Sequence, residues 1–88
     1  MEKEKRNKFN RLWNIECFTA RTAARAEKIL EDMNAIFAKD GPQTGGNNYI
    51  YYVIGTQHRF MNICKSLGAV KLTAGGCVLL DDPEGLDE

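Results

Sequence analysis

The hydrophobic period of this chain first changes close to residue 20, and that change does most to limit its fold. From Phe9 to Cys17 the odd positions are Phe9, Arg11, Trp13, Ile15 and Cys17, mostly apolar, and the even positions between them (Asn10, Leu12, Asn14, Glu16) are mostly polar. Alternation of this kind is the mark of a half-buried strand. Beyond it, Ala26, Ile29, Leu30, Met33, Ile36 and Phe37 recur at three and four, one apolar stripe of a helix of about 18 residues. Thr19 or Thr22 caps its start, and Asp40-Gly41-Pro42 stops it. Arg21, Arg25 and Lys28 fall together on the flank of that helix.

The rest of the chain continues in the same manner. Gly41 to Asn48 is a breaker-rich loop, longer than most helix-to-strand connections. Tyr49 to Ile54 is β-branched and aromatic with apolar residues on both faces, which predicts a central strand. A second helix comes after Gly55-Thr56, with Phe60, Ile63, Cys64 and Leu67 as its buried stripe and Gly68 at its C-terminus. Val70 to Ala74 and Cys77 to Leu80 flank Gly75-Gly76, a hairpin signal. The expected fold is a single small α/β domain, β-α-β-α-β-β with a mixed sheet. It spans residues 9–82, between a basic N-terminal arm (1–8) and an acidic tail (83–88).

Eighty-eight residues allow one modest core. The formal net charge is zero, but basic residues crowd the first third and acidic ones the end, Asp81 to Glu88. Such asymmetry fits either an anionic partner at one end or a solvated face and a frayed terminus. Cys17, Cys64 and Cys77 are odd in number and widely spaced, which argues against a disulfide framework and a structural zinc site. The one histidine, His58, has no ligand partner at helical or hairpin spacing, so no metal is expected. The first ten residues are charged where a signal peptide is apolar, and no window approaches a membrane span. A reducing, cytoplasmic setting with no membrane partner is the expectation.

Two segments carry a family likeness. Arg21-Thr22-Ala23-Ala24-Arg25-Ala26 stands where the strand pattern gives way to the helix pattern, and Leu67-Gly68-Ala69 closes the second helix ahead of the final hairpin. In that order they resemble the cofactor-binding, C-terminal half of a GNAT-type N-acetyltransferase. In that family a loop of the form Arg/Gln-x-x-Gly-x-Gly/Ala opens a helix, and its amides and the helix N-terminus hold the pyrophosphate of acetyl-CoA. The resemblance implies acetyl-CoA as cofactor, bound by Arg21, Thr22, Ala23, Ala24, Arg25 and Ala26. Arg21 matches the leading basic residue and Ala26 the final small one, while Ala24 stands where the family has its first glycine.

The implied reaction is transfer of acetyl to an amine. Glu16 would serve as base, and Cys64 occupies the position, counted from Gly68, of the tyrosine that protonates the departing thiolate. The altered glycine and tyrosine, and the lack of room for the family's first half, imply a degenerate or inactive form that completes its sheet by dimerising. Short phage-type GNAT-like proteins look similar around the strand Tyr49 to Ile54, the His58-Arg59-Phe60 step and the Leu67-Gly68 turn. The same residues also fit blander roles: Cys64 as a small core residue, Glu16 on a solvated strand face, His58 on the surface.

Other functions remain open on this sequence. A small interaction or inhibitor protein would use its sheet edge or acidic tail on a protein partner, or pair with itself as a homodimer. A nucleic-acid-binding module would use the basic arm, the Arg21/Arg25/Lys28 flank and Tyr49 to Tyr52, although overall neutrality counts against it. A fainter likeness is to TusA-type sulfur carriers, with Cys17 near the first strand-to-helix junction; their Cys-Pro-x-Pro signature is missing, Cys17-Phe18-Thr19-Ala20 standing there.

Overall fold

The structure, a computed structural model, describes residues 10–42 and 48–80. The basic arm 1–8, Phe9, residues 81–82 and the acidic tail 83–88 lie outside the described residues. The elements are β1 (Arg11–Cys17), α1 (Ala20–Asp32), β2 (Ile36–Asp40), β3 (Tyr49–Gly55), α2 (Gln57–Leu67), β4 (Val70–Thr73) and β5 (Gly76–Leu79). The chain is a small α/β domain with a mixed sheet, and its order is β-α-β-β-α-β-β rather than β-α-β-α-β-β.

The additional strand comes from the expected end of α1. Asn34 adopts a left-handed conformation (φ 58°), one that asparagine tolerates better than most residues. The Ala35 N–H then donates to the Leu30 carbonyl (2.9 Å) and the Asn34 N–H to the Glu31 carbonyl (3.1 Å). This 6→1 and 5→2 pair closes the helix. Arg59 reaches across from α2 to donate to the Met33 carbonyl (2.9 Å), satisfying another helix-end oxygen. Ile36 and Phe37, which sit at helical spacing from Met33, are instead paired with Ile54 and Val53 in the sheet.

The sheet order is β2-β3-β1-β5-β4. β1 is central: it runs antiparallel to β3, from Arg11↔Gly55 to Cys17↔Tyr49, and parallel to β5, from Asn14↔Gly76 to Cys17↔Leu79. β2 is antiparallel to β3, and β4 to β5. β1 and β2 are therefore parallel with β3 between them, and β3 and β4 are parallel with β1 and β5 between them. Each pair is bridged by one helix, giving two interleaved split β-α-β units.

Both helices pack on one face of this sheet. From the strands come Trp13, Ile15, Cys17, Tyr51, Val53, Cys77 and Leu79, and from the helices Ala23, Ala26, Leu30, Phe60, Ile63, Cys64 and Leu67. The alternation in β1 and the stripe on α2 are thus the two sides of one core. Burying each large side chain of this set contributes about 1.5–3 kcal/mol. The buried Tyr51 hydroxyl shares its proton between the Ala23 carbonyl (3.0 Å) and the Glu27 carboxylate (3.2 Å), pinning β3 to α1. α2 ends as expected at Gly68, whose φ of +89° favours glycine.

Candidate functional site

The segment Arg21 to Ala26 lies inside α1 rather than in a loop before it. Thr19 is the N-cap; its hydroxyl accepts from the Thr22 N–H (3.0 Å), and the Thr22 hydroxyl accepts from the Thr19 N–H (3.3 Å). This reciprocal capping box occupies donors that an anion at the helix start would otherwise use. Thr22, Ala23 and Ala26 are buried against the sheet, Ala24 and Arg21 are exposed, and Arg25 is half-buried. The Arg25 guanidinium lies against Gly68 at the far end of α2, where a Cβ on that glycine would come within 3.1 Å of Nη2.

A cleft of about 210 Å³ opens beside this capping box, lined by Phe18, Thr19, Thr22, Leu79 and Leu80. It lies outside the carboxyl ends of the two parallel strands, β1 and β5, where α/β sheets commonly place ligands. Its volume falls below the 300–1,000 Å³ typical of small-molecule sites, and its lining is largely apolar. A nucleotide cofactor seated there would lie mostly on the surface.

The proposed catalytic residues are not brought together. Cys64 is buried on α2 within the core, whereas Glu16 is on the opposite, helix-free face of the sheet, paired across strands with Ile50 and Val78. His58 is exposed in the first turn of α2. Among the described residues no group of three or more His, Cys, Asp or Glu side chains is arranged to hold a metal ion.

All three thiols are free and buried. Burial pushes the Cys17 thiol up to about 11, and it also raises Cys64 and, more strongly, Cys77. Burial, with the neighbouring Glu27 carboxylate, raises the Tyr51 phenol as well. Such thiols are poor nucleophiles and poor proton donors near neutrality. The shifts have a stability consequence. These groups ionise at about 8.5 and about 10 in the unfolded chain, but the fold holds them protonated. Their contribution is thus complete below the unfolded pKa values and is lost progressively as pH rises from there through the folded values, about 11 for Cys17 and higher for Cys77 and Tyr51. The melting temperature, monitored by the fluorescence of Trp13, should be level between pH 7 and 8 and fall steeply above pH 9. A midpoint unchanged to pH 11 would refute the buried placement of these groups.

The sheet face opposite the helices carries a different kind of surface. Cross-strand register arranges it in three rows. The first row, over β2, β3 and β1, is Ile36, Ile54 and Leu12. The second, over all five strands in the order β2-β3-β1-β5-β4, is Ala38, Tyr52, Asn14, Gly76 and Thr73. The third, in the same order, is Asp40, Ile50, Glu16, Val78 and Lys71. Ile36, Ile54 and Leu12 are 68%, 45% and 60% exposed, so three large aliphatic side chains stand side by side in water. The sequence signals were present: Leu12 is the apolar residue out of phase in β1, and Ile50, Tyr52 and Ile54 give β3 its second apolar face. Without β2 they could not be assembled into a patch.

No family model matches this chain, and neither a curated protein nor a solved structure does so.

Proposed function

We propose that this chain is a non-enzymatic interaction protein that binds another protein through the open face of its sheet. The carrying observation is the exposed row Ile36, Ile54 and Leu12, on a face that neither helix covers. Contiguous apolar surface with a polar surround marks a docking site far more often than scattered exposed residues do. Half-buried Tyr52, Ile50 and Val78 extend the patch, and Asp40, Glu16 and Lys71 line one side of it.

The placement of the other candidates supports this reading over the alternatives. Acyl transfer needs a base and a proton donor at one reacting centre, whereas Glu16 and Cys64 are separated by the sheet. Single-stranded nucleic acid needs cations and stacking platforms. Among the described residues the open face offers two carboxylates against one lysine, and Tyr52 as its aromatic residue.

A Leu12→Lys/Ile54→Lys double variant tests the proposal. Both side chains are exposed, so the thermal midpoint should stay within about 1 kcal/mol of the parent in stability terms. Association with any protein that co-purifies with the parent, a second copy included, should disappear. Two results would sink the reading. One is association that survives this variant but is lost on Lys28→Glu, on the outer side of α1. The other is micromolar acetyl-CoA binding that an Arg21→Ala/Arg25→Ala variant abolishes, which would favour the acetyltransferase reading.

A further inference from the structure

We infer that the partner of the open face is the same face of a second copy of this chain, related by a two-fold axis running along β1. The inference rests on the interaction reading and adds the identity of the partner. A two-fold axis parallel to the central strand reverses the strand order of the second copy while keeping each row opposite itself. The register then dictates which residues meet.

In the third row, Lys71 on β4 faces Asp40 on β2 of the second copy, and the same pair recurs at the other end. Ile50 faces Val78, also twice. In the second row, Tyr52 faces Gly76 of the second copy. Gly76 is buried and the position of its absent Cβ lies in the sheet against the Asn14 backbone, so Tyr52 meets no side chain from that position. Ala38 faces Thr73, and Asn14 faces Asn14, an amide pair able to donate and accept in both directions. In the first row Leu12 meets Leu12 on the axis, and Ile54 and Ile36 lie over the β4–β5 turn. Opposite charges therefore meet, and large side chains meet small ones.

Moving the axis to β3 would set Ile54 on Ile54 and Ile36 on Leu12, but it leaves β5 and β4 without a counterpart and spoils the polar pairing. Asp40 would then face Glu16, and Tyr52 would face Tyr52. The arrangement about β1 has two unfavourable elements, Glu16 facing Glu16 on the axis and the exposed Ile36 and Ile54 facing the β4–β5 turn. The natural crossing of about 30° between packed sheets staggers these pairs without changing which residues are neighbours.

The size of the face sets the expected strength. Five strands about 4.8 Å apart and about 20 Å of strand length give roughly 500 Å² per copy, or about 1,000 Å² in total. That is the lower limit for a specific interface, so the dimer should be weak and visible only at high concentration. It would form a four-layer sandwich with the helices outermost.

Analytical ultracentrifugation of the full chain from about 5 µM to about 1 mM tests the inference. The parent should pass from monomer to dimer. Lys71→Asp should weaken the dimer by about tenfold, the Asp40→Lys/Lys71→Asp double swap should restore it, and Glu16→Gln should tighten it. An isotope-filtered NMR experiment on mixed labelled and unlabelled parent chain should show contacts between Ile50 methyl protons of one copy and Val78 methyl protons of the other, without any variant. A parent that stays monomeric at about 1 mM, or a dimer lacking the Ile50–Val78 contact, overturns the inference. If that monomer still binds a different protein, and Leu12→Lys/Ile54→Lys abolishes it, only self-pairing fails. If the face variants change no association at all, the interaction reading fails with it.

Discussion

Gly76→Ala is expected to leave the chain without a cooperative unfolding transition at 25 °C. Gly76 sits in β5 against the centre of β1, where an added Cβ would run into the backbone oxygen, nitrogen and carbonyl carbon of Asn14. Those atoms belong to the middle of a strand that is bonded on both sides, so they have no direction in which to yield. Forcing a methyl into a well-packed interior costs about 1–3 kcal/mol when side chains can move, and more when backbone must. A domain of this length holds only about 4–13 kcal/mol in total. The neighbouring Gly75→Ala is the control. Its Cβ would meet the Asn14 side-chain nitrogen at 3.8 Å, an ordinary contact, so the midpoint should barely move. If the two variants behave alike in urea titration, the close approach of β5 to β1 is wrong.

Phe60→Ala should be the most damaging of the side-chain truncations. Phe60 is buried on α2, and its ring stacks on Trp13 at 4.8 Å between centroids with planes 9° apart. Trp13 is held in turn by its indole N–H donating to the Gly55 carbonyl (2.9 Å), with the Arg11 guanidinium over the same ring. Truncating a buried phenylalanine costs about 3–5 kcal/mol, much of it for the cavity left behind. Trp13 is the one tryptophan in the chain, so its emission should also shift to the red as water reaches it. Phe60→Leu separates the parts: it keeps most of the apolar volume and should lose about 0.5–1.5 kcal/mol of ring stacking. A loss below about 1 kcal/mol for Phe60→Ala would show that this contact does not anchor α2.

Much of the fold can be read from local pattern because local pattern causes it. The alternation of Trp13, Ile15 and Cys17, the stripe Phe60, Ile63, Cys64 and Leu67, and the stop at Gly68 each express one element meeting one core. Ile36 and Phe37 defeat the same reasoning. They continue the spacing of the α1 stripe, and the backbone angle at Asn34 that diverts them into β2 leaves no trace in periodicity. The length of the loop implied after a helix running to Asp40 was the available warning.

The candidate site was less legible. The letters from Arg21 to Ala26 are equally compatible with a loop that cradles phosphate and with the first turns of a helix. Thr19 and Thr22 decide locally for the helix by capping each other. The apolar residues on both sides of β3 correctly predict a strand inside the sheet, but whether its second face is covered depends on how many layers the molecule has. That is a property of the assembly and not of the strand.

The position of β1 bears on how this protein is made. β1 precedes the other described strands in the chain and the rest of the sheet is built on it, so its partners are synthesised after it. Asn14 waits for Tyr52 on one side and for Gly76 on the other. Until β5 has been synthesised, β1 has an unpaired edge and Trp13 and Ile15 have an incomplete cover. Long-range pairing of this kind slows folding and prolongs exposure of aggregation-prone edges. The native sheet therefore cannot close until β5 is made, and a nascent chain stalled before Gly76 is the form most in need of a chaperone.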